Sequence, residues 1–201
     1  MSKTNMTPFF EWFKTLSSTK PWLVVGKGPS FSKVRSINLE DYLVVGLNHV
    51  MFKIPCLLGH AIDSEVYNTS DNKFLCQHLV TPWEPHIGFK PGNKSLIDLN
   101  AANRIGHKDV LYYNSSRTRK VSMRLAGPEV RVRLFGAVAV MNLLAMAGVR
   151  LVNTLGIDGG TSYHDEFNRS DLLCNGRSSF NDQFSEFNFT KKKYGLVIRP
   201  M

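Results

Sequence analysis

The chain has 201 residues, of which 43% are hydrophobic and 20% charged, and a formal net charge of +9 at neutral pH. It is long enough for one hydrophobic core and short for two, and it has neither a stretch of roughly 20 apolar residues that could span a membrane nor a signal-peptide pattern. Its three cysteines, Cys56, Cys76 and Cys174, are scattered without a Cys-x-x-Cys spacing. We therefore expect reduced thiols and a cytoplasmic location rather than a disulfide framework or a zinc site.

The first predicted element is an amphipathic helix over residues 7–16. Apolar side chains recur there at helical spacing after Pro8, namely Phe9, Phe10, Trp12, Phe13 and Leu16. A polar break follows, so we divide the chain into an N-terminal helical extension (residues 1–20) and a main domain (residues 21–201). The sequence leaves three alternatives for the surface on which this helix packs: its own sheet, a partner, or the periphery of the inner membrane.

The next element is a short apolar strand, 22–25, that runs into the turn Gly26-Lys27-Gly28-Pro29-Ser30. The two glycines let the backbone bend and let a ligand approach closely. Pro29 suits the first position of a helix, whose start would aim N–H groups and a positive dipole end at the turn. With the charge of Lys27, this turn predicts a phosphate cradle, and a purely structural turn is the alternative. Phe31 stands where the dinucleotide fingerprint has a third glycine, and no Walker loop is present.

The rest of the chain alternates strands with helices. Further strands are predicted over residues 42–47, 57–62, 78–81, 109–112, 151–155 and 195–199, and helices over residues 135–147 and 180–193. Residues 82–94, rich in Pro, Gly and aromatics, are predicted to form an irregular loop. The alternation predicts a single α/β domain with a Rossmann-like, mostly parallel sheet and helices on both faces.

Polar side chains follow several of the predicted strands. Lys27, Asn48, Asp63, Asn114 and Asp158 each stand at the carboxyl end of a different strand. Open α/β sheets bind ligands at that edge. Any one of these residues could be a turn former, but their recurrence favours a shared binding site.

Basic residues are concentrated before the long helix. They are Arg117, Arg119, Lys120, Arg124, Arg131 and Arg133. This region favours an anionic partner, and a solvated loop with excess charge is the alternative. No aromatic residues are interleaved with these charges, which argues against single-stranded nucleic acid as the partner.

These motifs together resemble those of the bacterial lipooligosaccharide sialyltransferases. The resemblance rests on the turn Gly26-x-Gly28-Pro29-Ser30, on Leu47-Asn48, on the helix within residues 136–148, and on Leu155-Gly156-Ile157-Asp158 followed by Thr161-Ser162-Tyr163. It extends loosely from Trp22 to the C-terminus. Such enzymes transfer a sugar from a CMP donor on a Rossmann-like fold. The Gly-x-Gly-Pro-Ser and Gly-x-Asp pair is also similar to that of archaeal hydroxymethylpterin diphosphokinase-like proteins.

The resemblance implies roles for individual residues. The turn residues Gly26, Lys27, Gly28, Pro29 and Ser30 would lie against the nucleotide, and Asp158 with Gly159 would close its pocket. Asn48 would hold the nucleotide or the sugar. Asp63 stands where the family has an asparagine facing the sugar donor. Tyr163 matches a tyrosine that donates to the departing phosphate, which would stabilise the leaving group without a metal.

Three departures from the family pattern bear on catalysis. Lys27 replaces an asparagine, and Leu134-Phe135 replaces a Thr-Ser pair. The family's catalytic base is the histidine of a Gly-His-Ser run, where this chain has Gly176-Arg177-Ser178. Because an arginine stays protonated, it cannot act as a base. His164 is the substitute that the sequence offers, since imidazole titrates in the required range.

Three functions follow as hypotheses. The first is a glycosyltransferase that moves an acidic sugar from a CMP-sugar to an anionic surface glycan and requires no further cofactor. The second is a magnesium-dependent diphosphokinase in which Asp63 and Asp158 share the metal. The third is a non-catalytic nucleotide-binding module, consistent with the missing family histidine. The sequence does not predict an oligomeric state.

Overall fold

The computed structural model describes residues 4–67, 73–88, 90–116, 127–133, 135–167 and 179–201. Several positions that the sequence analysis singled out lie outside these residues: Arg117, Arg119, Lys120, Arg124, Leu134, Cys174 and the Gly176-Arg177-Ser178 run.

Strands and helices alternate along the chain as predicted. The strands are β1 (Asn5–Pro8), β2 (Trp22–Val25), β3 (Leu43–Leu47), β4 (Cys56–His60), β5 (Cys76–Pro82), β6 (His86–Ile87), β7 (Lys90–Pro91), β8 (Asp109–Ser115), β9 (Glu129–Val130), β10 (Leu151–Leu155) and β11 (Val197–Pro200). The α-helices are α1 (Phe9–Thr15), α2 (Ser64–Tyr67), α3 (Leu96–Ala101), α4 (Gly136–Met146) and α5 (Asp182–Tyr194). Shorter 3-10 helices span Pro29–Ser36, Leu39–Asp41, Asn48–Phe52 and Asp165–Phe167.

One large sheet organises the fold, with the strand order β1-β8-β5-β4-β3-β2-β10-β11 and β9 paired to β8. The pairings described within it are all parallel. The chain builds outward from β2 to β8 and then returns to place β10 on the other side of β2. The crevice between β2 and β10 is therefore the topological switch point of the sheet. The predicted α/β, Rossmann-like class is confirmed.

Helices cover both faces of the sheet. Along β2, Val24 joins the core that contains α1, α4 and α5, whereas Leu23 and Val25 join the core that contains α2, α3 and the Pro29–Ser36 helix. Because both layers are apolar, β2 and β3 are buried along their whole length and read in the sequence as continuous apolar runs.

The helix α4 is buried on almost every side, with nine of its 11 residues buried. It begins at Gly136, so its N-terminus opens toward the switch-point edge. Gly148, with φ of +100°, follows the helix end as the sequence predicts. The buried Asn142 is held by backbone carbonyls of Val138 and Arg131 and by the Thr190 hydroxyl of α5.

The N-terminal segment belongs to the same sheet. β1, a strand that the helical spacing did not predict, pairs with β8 at the sheet edge. The Phe9 side chain is fully buried in the core, and the Phe13 ring stacks on Trp22 with 5.8 Å between ring centroids. Of the three surfaces left open for α1, the helix uses its own sheet. None of the described helices has the length and apolar character needed to cross a bilayer.

Three further features bear on the sequence expectations. The predicted loop 82–94 contains the antiparallel hairpin β6–β7. Asn114 lies within β8, where its side-chain amide donates to the Gly127 carbonyl at 3.4 Å. Cys56 and Cys76 are buried free thiols that face each other across β4 and β5.

Candidate functional site

A cleft of about 210 Å³ opens at the switch point. Its walls come from the segments that follow β2, β3, β4 and β10, from the start of α4, and from the β6–β7 hairpin. Many of the predicted site residues line it: Gly26, Lys27, Gly28, Asn48, Asp63, Asp158, Gly159 and Tyr163. They meet because the carboxyl ends of parallel strands share one edge.

Glycines allow the ends of β2 and β10 to touch in this cleft. The Gly26 N–H donates to the Leu155 carbonyl and the Gly28 N–H to the Gly156 carbonyl, each at 2.8 Å. A Cβ added to Gly26 would collide with the Gly156 carbonyl oxygen. Gly156 itself has φ of +63°, a conformation that residues with side chains rarely adopt. Glycine is thus required here for backbone contact.

The N-terminus of the Pro29–Ser36 helix already holds an anion, the Asp158 carboxylate. The Ser30 N–H donates to Asp158 Oδ2 at 2.8 Å, and the Gly156 N–H donates to Ser30 Oγ at 2.8 Å. The sequence analysis expected N–H groups of this turn to point at a phosphate. That expectation is corrected, because the amides of Gly26, Gly28 and Ser30 are bonded within the protein.

Lys27 brings a positive charge into the cleft. Its side chain is almost buried, with 8% of its surface exposed, and Nζ lies 4.4 Å from the centre of the Tyr163 ring. The Lys27 carbonyl accepts the His164 N–H at 2.8 Å, which ties the segment after β10 to the turn after β2. An ammonium over a ring face is a favourable cation–π contact. The side chains of this turn, rather than its amides, present charge to a ligand.

Asp63 follows β4 and lines the cleft beside His86. Its Oδ1 lies 3.7 Å from His86 Nδ1. Burial, reinforced by the negative charge of Glu65 and opposed by Lys27, raises the pKa of the Asp63 carboxyl to about 6. Such a group is mostly ionised at neutral pH and still basic enough to take up a proton.

Asn48 lies at the end of β3 with φ of +51°, a left-handed conformation that asparagine tolerates better than most residues. Its side chain faces the start of α4, since a Cβ added to Gly136 would lie 4.0 Å from Asn48 Nδ2. Beneath this point, His60 is fully buried and its Nε2 is 2.9 Å from the Tyr113 hydroxyl. Burial lowers the pKa of His60 to about 3, so the imidazole is neutral.

Three predicted residues lie near the cleft without lining it. Pro29 begins the 3-10 helix, as predicted for a first helical position, and Ser30 bonds to the turn after β10. His164 packs its ring edge-to-face on Phe31, with centroids 5.4 Å apart, and its Nδ1 accepts the Glu166 N–H at 3.3 Å.

Two residues of the predicted basic region pair within the protein. Arg131 and Arg133 both contact the carboxylate of Glu186 in α5, at 3.0 Å and 3.3 Å. Their charges are therefore partly neutralised where the chain enters α4.

Sequence reasoning missed several residues that line the cleft, among them His86, Phe180 and Gln183. His86 belongs to a hairpin whose two-residue strands are too short to give a periodic pattern. Its position is set by pairing with the segment after β4, which a local pattern cannot encode.

Within the described part of the chain, no group of three or more His, Cys, Asp or Glu side chains is arranged to hold a metal ion. Comparison of the chain with protein-family models, with curated proteins and with solved structures gave no match. What the cleft binds must therefore be inferred from its own side chains.

Proposed function

We propose that this chain is a glycosyltransferase-like enzyme that transfers an acidic sugar of the sialic acid type from a CMP donor to a surface glycan. The observation that carries the proposal is the pairing of Lys27 with Tyr163 inside the switch-point cleft. Both side chains line the cleft, so a nucleotide phosphate bound there would come within reach of the Lys27 ammonium.

The same pair suits the chemistry of the leaving group. When the bond between the sugar and CMP breaks, negative charge grows on the phosphate. The Lys27 ammonium and the Tyr163 phenol would stabilise that charge. Asn48 and Asp158 line the same cleft and would contact the nucleoside or the sugar. The net charge of +9 would favour an anionic glycan as acceptor.

A magnesium-dependent diphosphokinase of the hydroxymethylpterin type is the second candidate. It is favoured by one observation, that Asp63 and Asp158 both line the cleft. Carboxylate oxygens are ligands that magnesium prefers, and the ion usually binds together with substrate phosphates. In this candidate, the raised pKa of Asp63 would fall on metal binding, because a nearby cation favours the ionised carboxylate.

The proposal is tested by chemical unfolding in the presence of separate ligands: CMP, CMP-sialic acid, ATP and GTP, each with and without magnesium. A ligand present at 100 times its dissociation constant should raise the free energy of unfolding by about 2.7 kcal/mol. We expect this increase with CMP and CMP-sialic acid, together with release of CMP from the latter. Lys27→Met should reduce the increase, and Lys14→Met, at an exposed position of α1, should leave it unchanged.

The other outcomes each identify a different function. Stabilisation by ATP with magnesium and none by CMP would favour the diphosphokinase. Stabilisation by CMP without turnover of CMP-sialic acid would indicate a non-catalytic nucleotide-binding module. A free energy of unfolding that responds to none of these ligands would refute a nucleotide site at the switch point.

A further inference from the structure

The β6–β7 hairpin is fastened to the segment that follows β4. The His86 N–H donates to the Ile62 carbonyl at 2.8 Å, and Asp63 and His86 form a parallel bridge. Two residues on, the Gly88 N–H donates to Glu65 Oε1 at 2.6 Å. These contacts bring Asp63 and His86 side by side at the cleft wall.

The two side chains are arranged as a pair at the cleft wall. Asp63 Oδ1 is buried and lies 3.7 Å from His86 Nδ1, and the two side chains are 19% and 12% exposed. Both residues line the cleft that holds Lys27 and Tyr163. The carboxyl group therefore turns one oxygen toward the imidazole and keeps part of its surface open to the cleft.

We propose that the Asp63 carboxylate is the proton acceptor for the sugar-transfer reaction and that His86, whose ring lies beside this carboxylate, is a positioning residue. The inference rests on the proposed function. It gives Asp63 the role of base that the sequence analysis assigned to His164. His164 is less suited, because its ring packs on Phe31 and it does not line the cleft.

The reaction balances with these groups alone. The acceptor hydroxyl oxygen forms a bond to the anomeric carbon of the sugar, and the bond from that carbon to the phosphate oxygen breaks. The electron pair of the broken bond leaves with CMP, next to Lys27 and Tyr163. The hydroxyl proton passes to the Asp63 carboxylate and from there to solvent.

The surroundings of Asp63 suit a proton acceptor near neutral pH. Burial and the charge of Glu65 raise its pKa, and Lys27 lowers it. Efficient general bases have pKa values near the working pH. The titratable groups that face this carboxyl from neighbouring elements are Lys27, Glu65, Tyr67, His86 and Tyr113.

The test measures hydrolysis of CMP-N-acetylneuraminic acid, with water as the acceptor, as a function of pH. In the unmodified chain, kcat/KM should fall below about pH 6 as Asp63 takes up a proton. Asp63→Asn should lower kcat by about 100-fold or more and abolish that acid limb. The matched control is Asp41→Asn, at an exposed position before β3 at the opposite end of the sheet. This variant should keep the kcat and the acid limb of the unmodified chain. Unfolding of each variant checks that it folds.

Azide distinguishes loss of a base from loss of structure. Azide attacks carbon without a proton to lose, so it should restore turnover to Asp63→Ala and add little to the unmodified chain. His86→Gln should keep the KM for the sugar donor, lower kcat and shift the pH of the acid limb, because it replaces the ring that lies 3.7 Å from the Asp63 carboxylate.

The outcomes separate this inference from the proposed function. Asp63→Asn with unchanged kcat, or an acid limb that persists in it, would overturn the inference while hydrolysis by the unmodified chain upholds the proposed function. An unchanged pH profile in His86→Gln would overturn the positioning role. Absence of hydrolysis by the unmodified chain would overturn both proposals.

Discussion

Asp158 occupies the place at the N-terminus of the Pro29–Ser36 helix that a phosphate group would otherwise suit. Its carboxylate accepts the Ser30 N–H, while the Ser30 hydroxyl accepts the Gly156 N–H. An anion at this position is stabilised by the partial positive charge of the helix end. The two bonds join the turn after β2 to the turn after β10 at the cleft wall.

At the residue scale, Ser30→Ala should lower the free energy of unfolding by about 1–3 kcal/mol, because the buried Gly156 N–H loses its acceptor. Ser36→Ala removes a hydroxyl from an exposed position at the end of the same 3-10 helix and should change it by less than about 0.5 kcal/mol. Urea unfolding of the two variants measures the difference. Equal effects would mean that the bond to Gly156 contributes nothing to the turn.

At the scale of elements, α4 and α5 are joined by a buried polar contact within an apolar seam. The Thr190 hydroxyl donates to Asn142 Oδ1 at 2.9 Å, and neither side chain is accessible to solvent. Asn142 in turn holds the carbonyl of Arg131, just before α4 begins. This contact fixes the position of α4, whose first residues line the cleft.

Thr190→Val keeps the shape of the side chain and removes its hydroxyl. We expect the free energy of unfolding to fall by about 1–3 kcal/mol, because Asn142 Oδ1 is left buried without this donor. Thr15→Val, at an exposed position of α1, is the control and should have an effect below about 0.5 kcal/mol. Guanidinium unfolding with both variants provides the measurement, and a neutral Thr190→Val would contradict the expectation.

At the scale of the whole molecule, stability should depend on pH through the buried His60. Its pKa in the folded chain is lowered to about 3, below the value of about 6.5 expected when unfolded. Between these values the unfolded chain binds the additional proton. The stabilising contribution is therefore complete above about pH 6.5 and decreases as the pH falls, by up to about 1.4 kcal/mol per pH unit. Asp63, with its raised pKa, contributes with the opposite sign.

The comparison of the unmodified chain with His60→Gln isolates this contribution. The difference between their free energies of unfolding should be constant from pH 7 to pH 8 and should change steadily as the pH is lowered toward 4. The unmodified chain should lose stability faster than the variant, since glutamine does not titrate. Parallel pH profiles for the two proteins would show that His60 is not the responsible group.

The sequence predicted the parts of this fold that have local patterns. Buried strands of a parallel sheet are continuous apolar runs, so β2, β3 and β10 were placed within a residue. β1 was missed, because it is a half-exposed edge strand whose pairing lies far along the chain. The rule that open α/β sheets bind ligands at the carboxyl ends of their strands identified most of the residues that line the cleft. It could not reveal that Asp158 would bind the Ser30 amide or that His86 would pair with Asp63.

The edge position of β1 has a consequence for how the chain is made. Asn5–Pro8 is synthesised long before its partner Asp109–Ser115. The central strand β2 must likewise wait for β10 before both of its edges are covered. Long-range parallel pairing of this kind folds slowly. The nascent chain therefore carries open strand edges until β8 and β10 have been synthesised.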